Sequence, residues 1–321
     1  MSLDPPLSRT EAGALAPAGA TDEAFGARAR SATTEARSPR ERLVRLVSSS
    51  ALTVIVVLIA CLWSIPTLGL LVSSFRPAAA IQSSGWWTAL TPPWQFSVAN
   101  YQDVLQAEGM GQAFVNSLII AIPGTIIPTF VAAFAAFAFA WMKFPGRDWI
   151  FLIIVGLLVV PVQMTLIPVL GIFTSLGITG SYLAIWLAHT AYGLPFAVYL
   201  LYSFFGALPS DLFESARIDG ASNLRIFFRL VLPLSVPALA SLVIFQFMWV
   251  WNDLLVALIY LGGSPDRAPM TVRIANLVNS FGTNYQVLTA AAFISMALPL
   301  VLFFSMQRYF VRGILAGSVK G

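Results

Sequence analysis

The sequence predicts an all-α, polytopic membrane protein with six transmembrane helices and one short polar element between the fourth and fifth helices. Of its 321 residues, 58% are hydrophobic and only 10% are charged, and the mean hydropathy is +0.82. Soluble domains are roughly 45–50% apolar, so a water-soluble fold of this length could not bury so much apolar surface. The lipid bilayer is therefore the expected solvent.

Six apolar segments of the sequence are the candidate transmembrane helices. Each has about 20 or more mostly apolar residues, which cross roughly 30 Å of hydrocarbon as a helix. They cover residues 51–74, 114–141, 149–173, 182–205, 236–261 and 288–310. Two prolines in the third segment, Pro161 and Pro168, predict that this helix is kinked.

The residues before the first segment, 1–45, are predicted to form a disordered cytoplasmic arm. They are rich in Ala, Pro, Ser, Thr, Glu and Arg without apolar periodicity, so they bury too little apolar surface to fold. Residues 40–47, RERLVRLV, are a short basic amphipathic lead-in, typical of an interfacial anchor for the first helix. The membrane domain then covers residues 46–321.

The positive charges predict the orientation of the chain. Seven of the 18 Lys and Arg residues lie in the N-terminal arm, two between the second and third segments, three between the fourth and fifth, and three at the C-terminal end. Only three lie in the other connections. Cytoplasmic connections carry this excess, so both termini and the fourth connection are predicted to be cytoplasmic. The same residues account for the pI near 9.5 without a nucleic-acid partner.

The fourth connection contains an organised polar stretch, PSDLFESARIDGASNLRIFFRLVLPLSVP at residues 209–237. Asp211 is predicted to cap a first short helix, with Glu214 three residues later at the spacing of a capping box. About two helical turns then lead to Gly220, where glycine permits a tight, left-handed corner.

A second short helix, NLRIFFRL, is predicted after this corner. Ser222 is placed to cap it, and Pro233 is expected to break the backbone before the fifth segment. Leu224, Phe227 and Phe228 are expected to share one apolar face. Two interpretations remain open: an interfacial loop lying on lipid headgroups, or a docking knob that fits a groove on a cytoplasmic partner.

The stretch resembles the EAA loop of binding-protein-dependent ABC importer permeases, in which E-A-A is followed by three residues, G, nine residues and I-x-L-P. Here ESA at residues 214–216 is followed at the same spacing by Gly220 and by LVLP at residues 230–233. The resemblance implies that residues 207–235 form a coupling helix seated in a cleft of an ATPase subunit. The residues expected to couple to the ATPase are Glu214, Ser215, Ala216, Asp219, Gly220, Arg225 and Pro233.

Three further stretches resemble the sugar-importer branch of this family, and within it the maltose/α-glucoside type of permease that pairs with a second permease. They are KFPGR at residues 143–147, WND at 251–253 and RGILAGSVKG at 312–321. The resemblance implies a heterodimer with a second permease, two copies of an ABC ATPase that hold ATP and Mg, and an extracytoplasmic solute-binding protein. It also implies a sugar substrate, alternating access across the cytoplasmic (inner) membrane, and a C-terminal tail, residues 311–321, that either inserts between the ATPases or frays.

The chain itself lacks the motifs for ATP hydrolysis and for metal binding. Its only lysines, Lys143 and Lys320, do not follow the glycine pattern of a P-loop. His189 is the only histidine, and no second ligand cluster lies near it in sequence. We therefore expect no catalytic residue, no metal and no cofactor in this chain.

Polar residues inside the apolar segments are candidate solute contacts because they are costly in lipid. Tryptophan faces beside amide and carboxylate groups suit a sugar, whose ring faces stack while its hydroxyls form hydrogen bonds. The candidates for the solute path are Asn252, Asp253, Trp249, Trp251, Gln163 and His189. Alternatively, Asn252 and Asp253 hold helices together or cap a local break, and His189 makes a satisfied interhelical hydrogen bond.

Other functions fit the sequence less well. An ion-coupled secondary transporter needs charged relay residues within the spans, where only Asp253 and His189 qualify. A membrane enzyme needs paired carboxylates or a nucleophile with its base, which the spans lack. Among importers, maltose, trehalose, sucrose, glycerol phosphates and polyamines remain open as substrates.

Overall fold

The computed structural model describes the backbone of residues 39–106, 109–280 and 285–318, and the side chains of residues 50–106, 109–277 and 285–305. Internal contacts divide the chain into two units, residues 1–65 and 66–321. Within the described ranges, all regular elements are helices. The predicted all-α fold is therefore confirmed.

The helices follow one another along the chain with short connections. The first seven are α1 (Pro39–Ser74), α2 (Ala78–Ser83), α3 (Ala99–Gln106), α4 (Met110–Trp141), α5 (Arg147–Val159), α6 (Val162–Ser175) and α7 (Tyr182–Gly206). The last six are α8 (Ser210–Ile218), α9 (Asn223–Leu234), α10 (Val236–Trp251), α11 (Leu255–Tyr260), α12 (Met270–Ser280) and α13 (Tyr285–Ser318). A 3-10 turn covers Trp86–Leu90.

Four of the described helices are long and apolar enough to cross a membrane unbroken. They are α4, α7 and the apolar parts of α1 and α13, Ser50–Ser74 and Tyr285–Ser305. Two further candidates are bent pairs: α5 with α6 at 107° and α9 with α10 at 77°. The predicted number of six spans is reached when each bent pair counts as one span.

The predicted third and fifth segments differ in how they are broken. The predicted kink in the third segment is confirmed, because α5 ends before Pro161 and α6 begins directly after it. The expectation of one continuous fifth segment over residues 236–261 is wrong. Helix α10 ends at Trp251, and a separate helix, α11, begins at Leu255.

The predicted break before the fifth segment is confirmed, but it does not lie at Pro233 itself. The helix continues through Pro233 to Leu234, and the bend comes at Ser235, between α9 and α10. A π turn at Phe227–Val231 ends two residues before this proline. Its wider turn makes room where the proline ring would otherwise meet the carbonyl four residues earlier.

The ends of the chain extend the predicted helices. Helix α1 begins at Pro39 and so includes the basic lead-in at residues 40–47. Residues 1–38 of the predicted arm lie outside the described part of the chain. Helix α13 continues through Ser318 and so includes most of the predicted C-terminal tail, whose last three residues are not described.

Helices α4 and α7 pack against each other along their lengths, and α10 packs on both of them and on α13. Buried alanines on α4, Ala132, Ala133 and Ala136, let the neighbouring backbones approach closely. One apolar cluster joins α4, α6, α7 and the helices from α10 onward. A second cluster joins the C-terminal halves of α4 and α7 to α8 and α9, and thereby positions the predicted corner.

Candidate functional site

The stretch around Gly220 folds into a corner between two short helices, which we call the α8–α9 corner (residues 210–226). Gly220 has a φ of 74°, in the left-handed region, and its N–H donates to the carbonyl of Arg217 at 3.0 Å. The hydroxyl of Ser222 accepts from the backbone N–H of Arg225 at 3.4 Å and so caps α9. The predicted glycine corner and serine cap are confirmed.

The predicted capping box at the start of α8 is wrong. The N-cap position is Pro209, which has no side chain able to accept a hydrogen bond, and Asp211 lies within the first turn. The hydroxyl of Ser210 donates to the carboxylate of Asp211 at 3.3 Å. Asp211 therefore places a negative charge near the positive end of the helix dipole without capping it, and Glu214 is exposed to solvent.

Buried aromatic side chains anchor the corner to the transmembrane helices. Phe213 of α8 is fully buried and stacks on Trp141, the last residue of α4, with 3.5 Å between ring centroids and 13° between planes. The guanidinium of Arg217 donates to the carbonyl of Trp141 at 3.0 Å. The indole N–H of Trp141 in turn donates to the carbonyl of Phe205 in α7 at 2.9 Å. Helix α8 is thus fixed to the ends of α4 and α7.

Helix α9 is anchored by a different apolar face from the one predicted. Ile226 and Phe227 are buried, and the Phe227 ring stacks on Phe134 of α4 at 4.5 Å between centroids. Leu224 and Phe228 are exposed, so the predicted single face is wrong. Phe227 and Phe228 are successive residues, which lie about 100° apart around a helix, and α4 covers the side that carries Phe227.

The outer surface of the corner combines apolar and polar side chains. Ile218 is 86% exposed and Leu224 62% exposed, although both are large and apolar. Most of the predicted coupling residues share this surface, whereas Ala216 is half-buried and Pro233 lies further along, in the last turn of α9. Exposed apolar residues rimmed by polar ones are typical of an interaction surface. The coupling roles of these residues stay predictions.

The second candidate site is the break between α10 and α11. Asp253 caps α11 with both carboxylate oxygens, which accept from the N–H groups of Val256 at 3.2 Å and Ala257 at 2.9 Å. The hydroxyl of Thr271 donates to the carbonyl of Asp253 at 2.6 Å and ties the break to α12. The sequence left several roles open for Asp253. In the structure Asp253 caps a local helix break.

His189 faces this break from α7. Its imidazole is fully buried, and its Nε2 lies 3.8 Å from the carboxylate of Asp253, beyond hydrogen-bond distance. Neither ring nitrogen has a hydrogen-bond partner within the described part of the chain. The expected interhelical hydrogen bond of His189 is therefore wrong. Its ring instead packs edge to face on Trp249, at 5.2 Å between centroids.

The other predicted solute contacts occupy three different environments. Trp251 is only 3% exposed, packs between Phe114 and Phe247, and donates from its indole to a carbonyl of α13. Asn252 is exposed and donates to the carbonyl of Met248, in the last turn of α10, at 2.7 Å. Gln163 is exposed in the first turn of α6. The structure thus brings His189, Trp249 and Asp253 together, and places Gln163 on another element.

Sequence reasoning missed several buried polar residues that join the helices. Asn116 of α4 is fully buried and donates to the carbonyls of Asp266 and Ala268, in the loop before α12, at 2.8 and 3.1 Å. The hydroxyls of Tyr192 and Tyr260 lie 2.6 Å apart and join α7 to α11. A lone amide in an apolar segment was the available signal for Asn116. No residue pattern indicated its partners.

Charged side chains are numerous at the α8–α9 corner, whereas His189 and Asp253 face each other at the break between α10 and α11. Among the described residues, no three His, Cys, Asp or Glu side chains are grouped so that they could hold a metal ion.

A helical membrane protein with bent spans and an exposed two-helix corner is the class that these observations define. Residues 129–316 match the model of the family of binding-protein-dependent transport system inner membrane components, and the chain belongs to this family. The resemblance found in the EAA-like loop is thereby confirmed.

Curated relatives match most of the chain. It is 59% identical over 265 residues to the osmoprotective compounds uptake permease protein GgtD of Synechocystis sp., covering 82% of this chain and 89% of that protein. It is 54% identical over 241 residues to the alpha-glucoside transport system permease protein AglG of Rhizobium meliloti. That alignment covers 74% of this chain but only 63% of AglG.

The fold also matches solved structures. A chain in the crystal structure of a bacterial ABC transporter involved in the import of the acidic polysaccharide alginate aligns with a TM-score of 0.70. The identity is 20%, and the alignment covers 85% of this chain and 98% of that one. At this identity the match shows a shared fold, and function must be argued from the site.

Proposed function

We propose that the chain is the permease subunit of an ATP-driven importer that moves an α-glucoside or related oligosaccharide across the cytoplasmic membrane by alternating access. The observation that carries this proposal is the α8–α9 corner. It keeps the EAA spacing, exposes Ile218 and Leu224, and is fixed to α4 by aromatic stacking and to α7 through the hydrogen bond from Trp141 to Phe205. An exposed apolar surface on a firmly anchored support is suited to receive force from a docked partner.

The partners of the proposed importer are those that the family resemblance implies. Two copies of a cytoplasmic ABC ATPase would bind ATP and Mg, and one of them would seat the corner in its cleft. A second permease would complete a heterodimer, and an extracytoplasmic solute-binding protein would deliver the sugar. A bacterial alginate ABC transporter that shares the fold has been solved in complex with an alginate pentasaccharide-bound periplasmic protein, which supports such a delivery partner. The bias of positive charges supports cytoplasmic termini and a cytoplasmic corner.

Movement of the ATPases would reach the membrane through a short mechanical path. A displacement of α8 pushes on Trp141 through its stack with Phe213, and Trp141 is hydrogen-bonded to Phe205. Helices α4 and α7 thus receive the movement at adjacent ends. The bend at Ser235 passes it to α10, which leads to the break that holds Asp253.

The sugar would meet the chain near this break. Trp249 is 36% exposed and offers a ring face, and the exposed Asn252 offers an amide. The names of the relatives support an α-glucoside such as trehalose, sucrose or maltose. Osmoprotective solutes are a second candidate, favoured by the 59% identity to GgtD. Trehalose and sucrose satisfy both, because each is an α-glucoside that also acts as an osmoprotectant.

The coupling assignment is tested by replacing Ile218 with Asp in the assembled complex. Because this side chain is 86% exposed, the substitution leaves the core intact. We expect the ATPase to be lost on co-purification and uptake to stop, while the Tm of the chain stays unchanged. The matched control, Ile218→Val, should retain both. An Ile218→Asp complex that keeps its ATPase and its full uptake would contradict the coupling role.

The substrate class is tested by uptake of labelled trehalose, sucrose and maltose into cells that express the complete importer and lack their own. Competition by the unlabelled sugars then ranks them. Labelled glycerol 3-phosphate and spermidine test the two alternative substrate classes, glycerol phosphates and polyamines. Uptake of either of these, with none of the three sugars transported, would overturn the sugar assignment and leave the permease assignment standing.

A further inference from the structure

Prolines inside the transmembrane helices release backbone carbonyls, because proline has no N–H to donate to the carbonyl four residues earlier. In lipid such a carbonyl needs a donor from elsewhere. In α4, Pro123 releases the carbonyl of Ile119. The indole N–H of Trp186, on α7, donates to that carbonyl at 2.9 Å. An indole has one donor and no acceptor, so its role in this hydrogen bond is unambiguous.

A second proline of α4 shows the same arrangement one turn further on. Pro128 releases the carbonyl of Gly124, and the side-chain amide of Gln246, on α10, donates to it at 3.1 Å. Gln246 is only 4% exposed. Its amide passes close to α7, since a Cβ at Gly193 would lie 2.5 Å from its nitrogen. The glycine at position 193 therefore leaves the space through which the amide reaches α4.

A third instance joins the other side of α10. In α13, Pro299 releases the carbonyl of Ser295, and the indole N–H of Trp251 donates to it at 3.1 Å. The described helices contain seven prolines beyond their first turns, and the other four are Pro66, Pro168, Pro195 and Pro233. All three carbonyls that receive these donors lie on α4 and α13, and all three donors lie on α7 and α10.

We propose that Trp186, Gln246 and Trp251 are positioning residues for transport. Each binds a proline-released carbonyl of a neighbouring helix, and together they link the helices in the order α7–α4–α10–α13. A helix flexes most readily at a proline, where its own hydrogen bonding is incomplete. The three links hold these weak points, so the four helices move as one body. Relative movement would then occur at the bend at Ser235 and at the break after Trp251.

The links themselves stand on geometry alone, whereas their part in transport rests on the proposed importer function. The two are separated by restoring the missing N–H. In a Gln246→Leu variant the carbonyl of Gly124 is buried without its donor. In the double variant with Pro128→Ala, residue 128 again has an N–H that can bond to Gly124 within α4, but the link to α10 stays absent.

The experiment compares both single variants and the double variant in the complete complex. We measure the Tm, the uptake of labelled trehalose, sucrose and maltose into proteoliposomes, and the ATP hydrolysed per sugar. We expect Gln246→Leu to lower the Tm by about 5 °C and uptake by about ten-fold. In the double variant the Tm should return to that of Pro128→Ala, while uptake stays low and more ATP is used per sugar.

Each other outcome overturns a defined part of the proposal. Recovery of uptake together with Tm would show that Gln246 only satisfies a carbonyl, and would overturn the positioning role. A Tm that Pro128→Ala does not recover would overturn the link. Failure of the unmodified complex to take up any of the three sugars would count against the proposed substrate, while the Tm comparison would still decide the link.

A neighbouring tryptophan supplies the matched control at the third link. Trp251→Phe and Pro299→Ala should be strongly non-additive in Tm, because the two residues share one carbonyl. Trp249 lies two residues away in the same helix, and its ring packs on His189 instead. The effects of Trp249→Phe and Pro299→Ala on Tm should therefore add. Additivity in both pairs would overturn the proposal at this site.

Discussion

The α8–α9 corner and the centre of the transmembrane bundle are held by opposite kinds of interaction. At the corner, Phe213 and Phe227 stack on rings of α4, Arg217 adds a hydrogen bond to Trp141, and Ile218 and Leu224 are exposed. In the centre, N–H groups of Trp186, Gln246 and Trp251 bind single carbonyls. Aromatic stacking tolerates small rotations, whereas a hydrogen bond is directional. The links at the centre therefore depend on the relative orientation of two helices more strongly than the ring contacts at the corner do.

The largest effect is expected when the corner loses its anchor. Phe213→Ala removes a fully buried ring, which typically costs about 3–5 kcal/mol. Helix α8 should then detach from Trp141, and both ATPase co-purification and uptake should fall to background. Phe228→Ala is the control, because that ring is 48% exposed and its loss should cost much less. Equal Tm losses for the two variants would show that the corner does not depend on the Phe213 stack.

The next effect is expected at the break between α10 and α11. Asp253→Ala leaves the N–H groups of Val256 and Ala257 without their acceptors, at a cost of about 1–3 kcal/mol. Asp253→Asn retains one carbonyl oxygen as an acceptor and should lose less than half as much, as measured by the Tm of the purified complex. If Asn were as damaging as Ala, the negative charge rather than the cap would be what the site requires.

A smaller effect is expected from the turn of the corner. Gly220→Ala introduces a Cβ into a backbone with φ of 74°, which costs about 1–2 kcal/mol. The added Cβ has open space around it, so strain is the only cost. Gly206→Ala is the matched control, because its Cβ also meets nothing within 4 Å and its φ lies outside the left-handed region. We expect lower ATPase retention on co-purification for Gly220→Ala only; equal retention would remove the turn from the coupling argument.

The smallest effect is expected from the cap of α9. Ser222→Ala removes an acceptor that lies 3.4 Å from the N–H of Arg225, and should cost about 0.5–1 kcal/mol. Ser222→Asp should restore the Tm, since aspartate caps as well as serine does. Uptake should change little in either variant. A large loss of uptake in Ser222→Ala would mean that the hydroxyl contacts a partner.

Local chemistry allowed the turn of the corner to be predicted but not its beginning. Gly220 and Ser222 act within a few residues of themselves, so a single stretch of sequence contains the whole interaction. At the start of α8, the sequence allows the N-cap to be either Pro209 or Asp211. The helix begins at Ser210, so Pro209 occupies the cap position. Asp211 is thereby shifted into the first turn, although its spacing from Glu214 fits a capping box.

The break after Trp251 could not be located from hydrophobicity. The apolar residues continue on both sides of Asn252 and Asp253, so a window over them indicates one span. The carboxylate within that window was itself the signal, because a buried acidic group requires donors. Which donors it binds depends on the backbone conformation, and the N–H groups of α11 become available only once α10 has ended.

The three links across the bundle also could not be predicted from the sequence, because each joins residues that are far apart along the chain. Pro123, Pro128 and Pro299 identify from sequence which carbonyls lose their helical donors. The donors lie 67, 122 and 44 residues away from those carbonyls along the chain. Their identity depends on which helices are neighbours and on how each is rotated, and no periodicity within one helix contains that information.

The clearance at Gly193 has an evolutionary consequence. Because a methyl at that position would overlap the amide of Gln246, neither residue is free to drift alone. A lineage that shortened residue 246 would open room for a side chain at 193, and one that filled 193 first would expel the amide. Homologous sequences should therefore change these two positions together, and their covariation should extend to proline at 128, whose loss removes the need for the amide.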